Sequence, residues 1–247
     1  MNITDEYGCV YSSDGKLLLE INEELETYTI KQGTEQICDS AFDDCSSLQS
    51  VVIPDSVTKI GWSAFRGCSS LQSIVIPDSV TTIGDYAFFL CSSLQSIVIP
   101  DSVKKLGNLP FPLGIELISK SDRYVVEDDL LIDLEEKRLI QTFKDKEYIN
   151  IPNTIAVIDS EAFADCSSLQ SIVIPDSVTT IENEAFSGCS SLQSIVIPNS
   201  VTTIGDCFFD DYSSLQSIII PKGKREYFEQ LLKEYHNDDL IPYLKEV

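Results

Sequence analysis

The sequence predicts a right-handed β/α superhelix, a solenoid of 23-residue coils with a parallel sheet along one side and a helical cap at the carboxyl end. Three observations predict it. The tripeptide Ile-Pro-Asp/Asn returns at Pro54, Pro77 and Pro100 and again at Pro175 and Pro198, 23 residues between neighbours, and Pro152 and Pro221 extend the second group. Residues 121 apart are equivalent, as in Leu18 and Leu139, Ile30 and Ile151, Phe42 and Phe163, Ile53 and Ile174, and Ile99 and Ile220, so several coils read as a duplicated block. From Lys224 to Tyr235 the apolar residues fall at 227, 228, 231, 232 and 235, which gives a helix one greasy face.

Each element of a coil follows from its residues. In Leu71-Gln72-Ser73-Ile74-Val75-Ile76-Pro77 the positions Leu71, Ile74 and Ile76 face inward, and Gln72, Ser73 and Val75 face solvent. Pro77 has no amide hydrogen, so the ladder stops there. Asp78 and Ser79 suit a turn, Val80 and Ile83 return to the core through a second short extended segment, and Gly84 permits a sharp bend. Ala87 and Phe88 follow on a short helical or 3₁₀ turn at the convex side, and Cys91 closes it. One coil cannot bury its apolar side unless another stacks on it, so the repeat itself demands a solenoid.

The expected organisation is one continuous solenoid over 1–221, in two related blocks of about 3–123 and 124–221, with a helical cap over 222–247. Each block opens on an irregular, hairpin-like unit, near 9–30 and 130–151. Asp14-Gly15 is a good hairpin turn, and Leu134-Glu135-Glu136-Lys137 is a weaker one. Between the blocks six extra residues precede Tyr124, where a bulge or small bend is expected. Leu109, Phe111, Leu113, Ile115, Leu117 and Ile118 are available there for burial.

Forty acidic against seventeen basic residues give a net charge of −23, which repels nucleic-acid phosphates and anionic membrane faces. No run of 18 apolar residues exists, so no transmembrane helix is expected. The start, MNITDEYGCV, lacks a basic stretch followed by an apolar one, so no signal peptide is visible.

The unit AFxxCSSLQSIVIPDSVTTIGxxAF resembles the BspA-like leucine-rich repeat proteins, a class named from a bacterial surface antigen. The resemblance runs from about Tyr7 to Pro221. It implies a leucine-rich repeat solenoid in which Leu48, Val51, Ile53 and their counterparts are core strand positions. It also implies a non-enzymatic module at the cell surface or secreted, linked to adhesion through host or matrix proteins, with no catalytic residue to carry over and no cofactor. An intracellular structural or regulatory scaffold is the alternative reading, and an enzyme hidden in the irregular regions is a third.

The residues themselves offer few chemical sites. Cys45, Cys68, Cys91, Cys166 and Cys189 share one repeat position, with Tyr212 in that place in the last coil. They read as a column of small buried thiols whose parallel side chains suit neither a disulfide nor a tetrahedral metal site. Cys9, Cys38 and Cys207 read as packing. His236, the sole histidine, has no nucleophile or orienting partner in its motif and reads as a surface residue. Ser46-Ser47, Ser69-Ser70 and Ser92-Ser93 read as turn residues whose hydroxyls satisfy backbone groups. The acidic clusters Glu23-Glu24, Glu26, Glu127-Asp128-Asp129 and Glu135-Glu136 lack the calcium-loop spacing.

The informative surface is the outward side of the expected concave sheet. Its rows are Gln49, Gln72, Gln95, Gln170, Gln193 and Gln216; Ser50, Ser73, Ser96, Ser171, Ser194 and Ser217; and Val52, Val75, Val98, Val173, Val196 and Ile219. None of these positions carries a carboxylate in a chain that has 40. A neutral, partly apolar strip flanked by acid is a candidate face for a protein partner or for self-association. The irregular coils around Asp14 or Leu130–Tyr148 are the other candidate for specific recognition.

Overall fold

The computed structural model describes residues 1–209 and 213–247, and its chain packs as two compact units, Met1–Val126 and Glu127–Val247. Each unit is a β-solenoid begun by an antiparallel hairpin.

In the first unit the hairpin pairs Val10–Tyr11 with Leu17–Glu20, and Ile3–Thr4 adds a further antiparallel strand. The turn is the one the sequence marks: the Gly15 amide donates to the Ser12 carbonyl at 2.9 Å, and Gly15 takes φ +74°. Leu17–Glu20 then pairs parallel with Gln36–Ile37, and Lys59–Ile60, Thr82–Ile83 and Lys105–Leu106 follow in parallel, one strand per coil. This ladder is the second extended segment of each coil. Its inward residues Ile37, Ile60 and Ile83 are fully buried.

The L-x-x-I-x-I segments form the other sheet side, and here the first unit is interrupted. Thr27–Thr29 pairs with Ser50–Val52, and Ser96–Ile99 pairs with Glu116–Ser119. Between them Ser73 makes an isolated bridge to Ser50, and Ile74–Ile76 belong to no strand. Leu71, Ile74 and Ile76 nevertheless point inward and are buried. The insertion after this side behaves in part as expected: Leu109, Phe111, Ile115 and Leu117 are buried. Leu113 is only half-buried, and Ile118 is exposed; it aligns with Val98 in the ladder and so faces solvent with that row.

The second unit repeats the plan. Leu130–Asp133 and Arg138–Thr142 form its hairpin, and Val157–Ile158, Thr180–Ile181 and Thr203–Ile204 continue in parallel. On the other side Ser171–Val173, Ser194–Val196 and Ser217–Ile220 pair without a break. The cap helix runs Arg225–Glu234 and buries Phe228, Leu231 and Leu232. Within the expected cap over 222–247, Leu244 begins a strand, Leu244–Glu246, that extends the sheet in parallel from Ser217–Ile220.

Among the described residues the third side of the coils is a turn rather than a helix. Amides of alternate residues donate to the following coil, as in Ser63 to the Asp85 carbonyl at 2.9 Å, Phe65 to Ala87 at 2.8 Å and Gly67 to Phe89 at 2.8 Å. Holding those amides outward requires left-handed backbone at two positions per coil: Ser40, Ser63, Tyr86, Glu161 and Glu184 at one, and Asp44, Gly67, Leu90, Asp165 and Gly188 at the other. A helical turn would spend the same amides within its own coil.

Behind this side the phenylalanines stack. Phe42, Phe65, Phe88 and Phe111 follow one another at centroid separations of 4.5, 5.3 and 6.0 Å, and Phe163, Phe186 and Phe209 at 4.9 and 5.5 Å. The corner glycines exist for close approach: a Cβ at Gly84 would stand 2.7 Å from the Gly61 carbonyl carbon, and one at Gly107 2.3 Å from the Asp85 amide nitrogen.

The cysteine column is buried as read, and it does more than fill space. Cys68 Sγ donates to the Phe42 carbonyl at 3.1 Å, Cys91 Sγ to Phe65 at 3.0 Å and Cys189 Sγ to Phe163 at 3.3 Å. Each of these carbonyls also accepts the amide of its own coil's cysteine, so the thiol occupies the second lone pair. Burial pushes the Cys45 and Cys166 thiols up to about 12, which keeps them protonated. Tyr212 lies outside the described residues. Cys207 departs from the expectation of packing: it stands exposed, at the left-handed turn position that Tyr86 and Glu184 also occupy.

Candidate functional site: the outward sheet face

The strand pleat decides which side chains reach solvent. Residues flanking the inward Leu, Ile and Ile positions alternate outward. In the first unit Gln49, Ser50, Gln72, Ser73, Gln95 and Ser96 are exposed, and Val98 is half-buried. Val52 and Val75 are 57% and 79% exposed. Val75 stands out furthest because its segment has left the ladder. Beside it lies a groove of about 320 Å³ lined by Ile74, Val75, Ile76, Pro77, Val98 and Pro100, with Asp55, Asp78 and Lys120 at its rim. Ile118 continues the apolar row past Val98, an exposed position that sequence reading assigned to the core. The irregular length of that coil concealed its register.

In the second unit Gln193 and Gln216 are exposed and Gln170 is half-buried. Val173 is 62% exposed, and Val196 and Ile219 are half-buried. Ser217, expected in the outward row, is buried, because its strand is flanked by the added carboxyl-terminal strand and the 3₁₀ turn Asp238–Tyr243. The glutamine row starts from a carboxylate: Gln49 Nε2 donates to Glu26 Oε2 at 3.3 Å, one coil back.

In the first unit backbone carbonyls are capped by hydroxyls of the Pro-Asp-Ser corner and by Thr58 and Thr81, whereas the corner serines Ser177 and Ser200 of the second unit have no partner among the described residues. Ser56, Ser79 and Ser102 donate to the carbonyls of Thr34, Val57 and Val80 at 2.6–2.7 Å, each in the preceding coil. Ser167 and Ser168 instead donate to the Asp145 carboxylate. His236 is exposed, with Nδ1 3.3 Å from Asp206 Oδ1. Among the described residues no three His, Cys, Asp or Glu side chains converge as a metal site, and no helix is long and apolar enough to cross a membrane.

The hairpin of the second unit holds an ion pair invisible to motif reading. Arg138 donates from Nε to Asp159 Oδ1 at 2.7 Å and from Nη2 to Oδ2 at 2.5 Å, while its Nη1 donates to Glu136 at 2.9 Å. Burial pushes the Asp159 carboxyl up to about 6, against the pull of Arg138, and Glu182 and Glu136 add to the rise. Nearby is a cleft of about 420 Å³ lined by Ile132, Leu134, Lys137, Ile155 and Ser177 among others.

Six copies of the BspA type leucine rich repeat region match residues 21–117 and 141–237. The chain belongs to the BspA-type leucine-rich repeat family. Proteins built from leucine-rich repeats bind other proteins, and these repeats are protein-interaction modules. Solved structures agree on the fold. A leucine-rich repeat protein from Eubacterium ventriosum is 23% identical with a TM-score of 0.71, over 90% of this chain and 73% of that one. The pneumococcal vaccine antigen PcpA is 17% identical at 0.63, over 89% and 81%. A leucine-rich repeat protein from Bacteroides ovatus is 25% identical at 0.53, over 89% and 70%. No curated protein matches the sequence.

Proposed function

We propose that this BspA-type chain is an adhesion module that holds host or matrix proteins through its outward sheet rows, at the cell surface or outside it. The observation that carries the reading is a neutral strip of glutamine, serine and valine in each unit, exposed at Val52 and Val75 in the first and at Val173 in the second, on a chain of net charge −23. Exposed apolar side chains in register cost solubility and are retained where a partner covers them. The groove beside Val75 supplies concave relief for a side chain of that partner.

The test is the triple variant Val75→Asp, Val98→Asp and Val173→Asp. These side chains are exposed or half-buried, so circular dichroism and the melting profile should match the parent. Binding to immobilised extracellular-matrix proteins should fall by at least about tenfold, the loss of one or two desolvated anchors. Undiminished binding removes the sheet rows from the explanation.

A further inference from the structure

A second surface, on the turn side of the first unit, departs from the repeat where the fold does not ask it to. The residue after the corner position is Asp or Asn at 39, 85, 108, 183 and 206, with Trp62 and Ser160 the exceptions, and an Asp or Asn there can accept the amide of the same position one coil on. Asp39 Oδ1 accepts from Trp62, Asp85 Oδ1 from Asn108, and Asn183 Oδ1 from Asp206, each at 2.9 Å. Trp62 breaks this column and offers Asp85 no such acceptor. Its counterpart 121 residues on is Asn183, so an Asn serves the fold at the equivalent place.

The protein's sole tryptophan is 49% exposed, and other aromatics gather around it. Tyr86 meets the indole edge-on at 6.5 Å between ring centroids, and Phe89 meets Tyr86 at 6.0 Å. The equivalent of Tyr86 in the second unit is Cys207, so the duplicated block lacks the arrangement at both positions.

Charge decides what such a surface suits. Asp39 and Asp85 stand one coil before and one coil after Trp62, about 4.8 Å away along the column. Each has one oxygen fixed by a backbone amide, and neither has an ion pair among the described residues. The neighbouring cation, Arg66, is already engaged by Asp43 at 3.4 Å and Asp44 at 3.7 Å. An indole between two fixed carboxylates attracts a guanidinium or ammonium over the ring while its charge is met on either side.

We propose that Trp62, Tyr86, Asp39 and Asp85 form a docking site for an arginine- or lysine-bearing loop of a protein partner. The site is distinct from the sheet rows and rests on the interaction-module reading. Because Trp62 is the only indole, its emission reports the site directly. Titration with a short alternating Arg-Gly peptide should quench it, while the Glu-Gly counterpart should not. With a labelled Arg-Gly peptide, Trp62→Asn and the pair Asp39→Asn with Asp85→Asn should each weaken binding about tenfold, the size of one desolvated cation–ring or charge contact. The control pair Asp101→Asn with Asp176→Asn removes equal charge elsewhere and should change affinity less than about twofold. Tyr86→Ser restores the residue found at Ser40 and Ser63 and should fold as the parent does.

Unchanged binding in Trp62→Asn, an equal loss in the control pair, or quenching by a neutral peptide or an oligosaccharide as strong as by the arginine peptide overturns the proposal. The broader reading has its own readout. Matrix-protein binding that persists in Trp62→Asn but fails in the valine variant leaves the module standing without this site.

Discussion

The first layers of the two units solve one problem with opposite chemistry. In the first unit Leu17 on the hairpin lies against the coil that carries Cys38; 121 residues on, the same two positions are Arg138 and Asp159. Both Cys38 and Asp159 occupy the place that Gly61, Gly84 and Gly107 take in later coils. At Gly84 and Gly107 an added Cβ would meet the preceding corner at 2.7 and 2.3 Å, whereas Glu182 holds the same place in the second unit. The first coil of each unit follows a hairpin strand and carries a side chain there. The first unit leaves the interior apolar and moves its charges outward, to an exposed Lys16–Glu35 pair at 2.6 Å. The second buries the charge: the Asp159 side chain is 1% exposed and Arg138 spans both its oxygens. The backbone thus specifies a space, and either a matched ion pair or a matched apolar pair fills it; a mixture of the two is what it cannot accept.

That comparison breaks most sharply when one partner is removed. Arg138→Leu leaves Asp159 buried without its cation and should destabilise the fold by about 3–5 kcal/mol in urea unfolding. Arg138→Leu with Asp159→Cys transplants the first unit's own pair and should be neutral or stabilising by about 1–4 kcal/mol. Equal losses in the single and double variants would mean that the two layers are not interchangeable.

A pH series sharpens it next. Asp159 takes its proton near pH 6 when folded and near 3.8 in the reference state, so between those values the folded protein holds the extra proton. The stability linked to this group is full below about pH 3.8 and is lost as pH rises through about 6, at about 1.4 kcal/mol per pH unit. The urea midpoint of the parent, relative to the double variant, should therefore fall between pH 4 and pH 6. A flat difference would show the carboxylate already ionised throughout, held by Arg138.

The smallest effect compares early and later thiols. Cys68 and Cys91 donate to a phenylalanine carbonyl 26 residues back. Cys166 has Ile140 at that distance, within the hairpin strand, and makes no such bond. Cys91→Ala should therefore cost about 1 kcal/mol more than Cys166→Ala, the net worth of one buried hydrogen bond. Equal costs would reduce the column to packing alone.

Where the repeat is regular, the sequence was enough to read the fold. Ile-Pro-Asp spacing located the coils, Leu71, Ile74 and Ile76 the core, and Asp14-Gly15 the first hairpin, because period and turn chemistry are local properties. The turn side was legible only as a bend, since the left-handed residues Tyr86, Leu90 and Glu184 carry no residue-type signal. Arg138 and Asp159 carry no motif signal, because their pairing depends on which layer lies beneath them. Trp62 was passed over for a similar reason: alone it is one aromatic, and only a column-by-column comparison with Asp39, Asp85 and Asn183 shows it as an aromatic exception. The candidate rows were legible as rows, but the protrusion of Val75 and the burial of Ser217 depend on a lapse in the ladder and on an added strand that no repeat announces.

The spacing of the hydrogen bonds has a last consequence. Coil-to-coil partners lie about one period apart wherever they occur: Ser79 reaches Val57, Gly67 reaches Phe89, Cys189 reaches Phe163. The entropy of closing such a loop is set by that separation and does not grow with the number of layers. Excision or insertion of one whole period inside a regular stretch leaves every surviving donor opposite an equivalent acceptor, whereas a shift of a single residue misaligns all of them. The architecture thus tolerates changes of length in quanta of 23, a discreteness that makes copy number the easiest dimension for such a chain to vary.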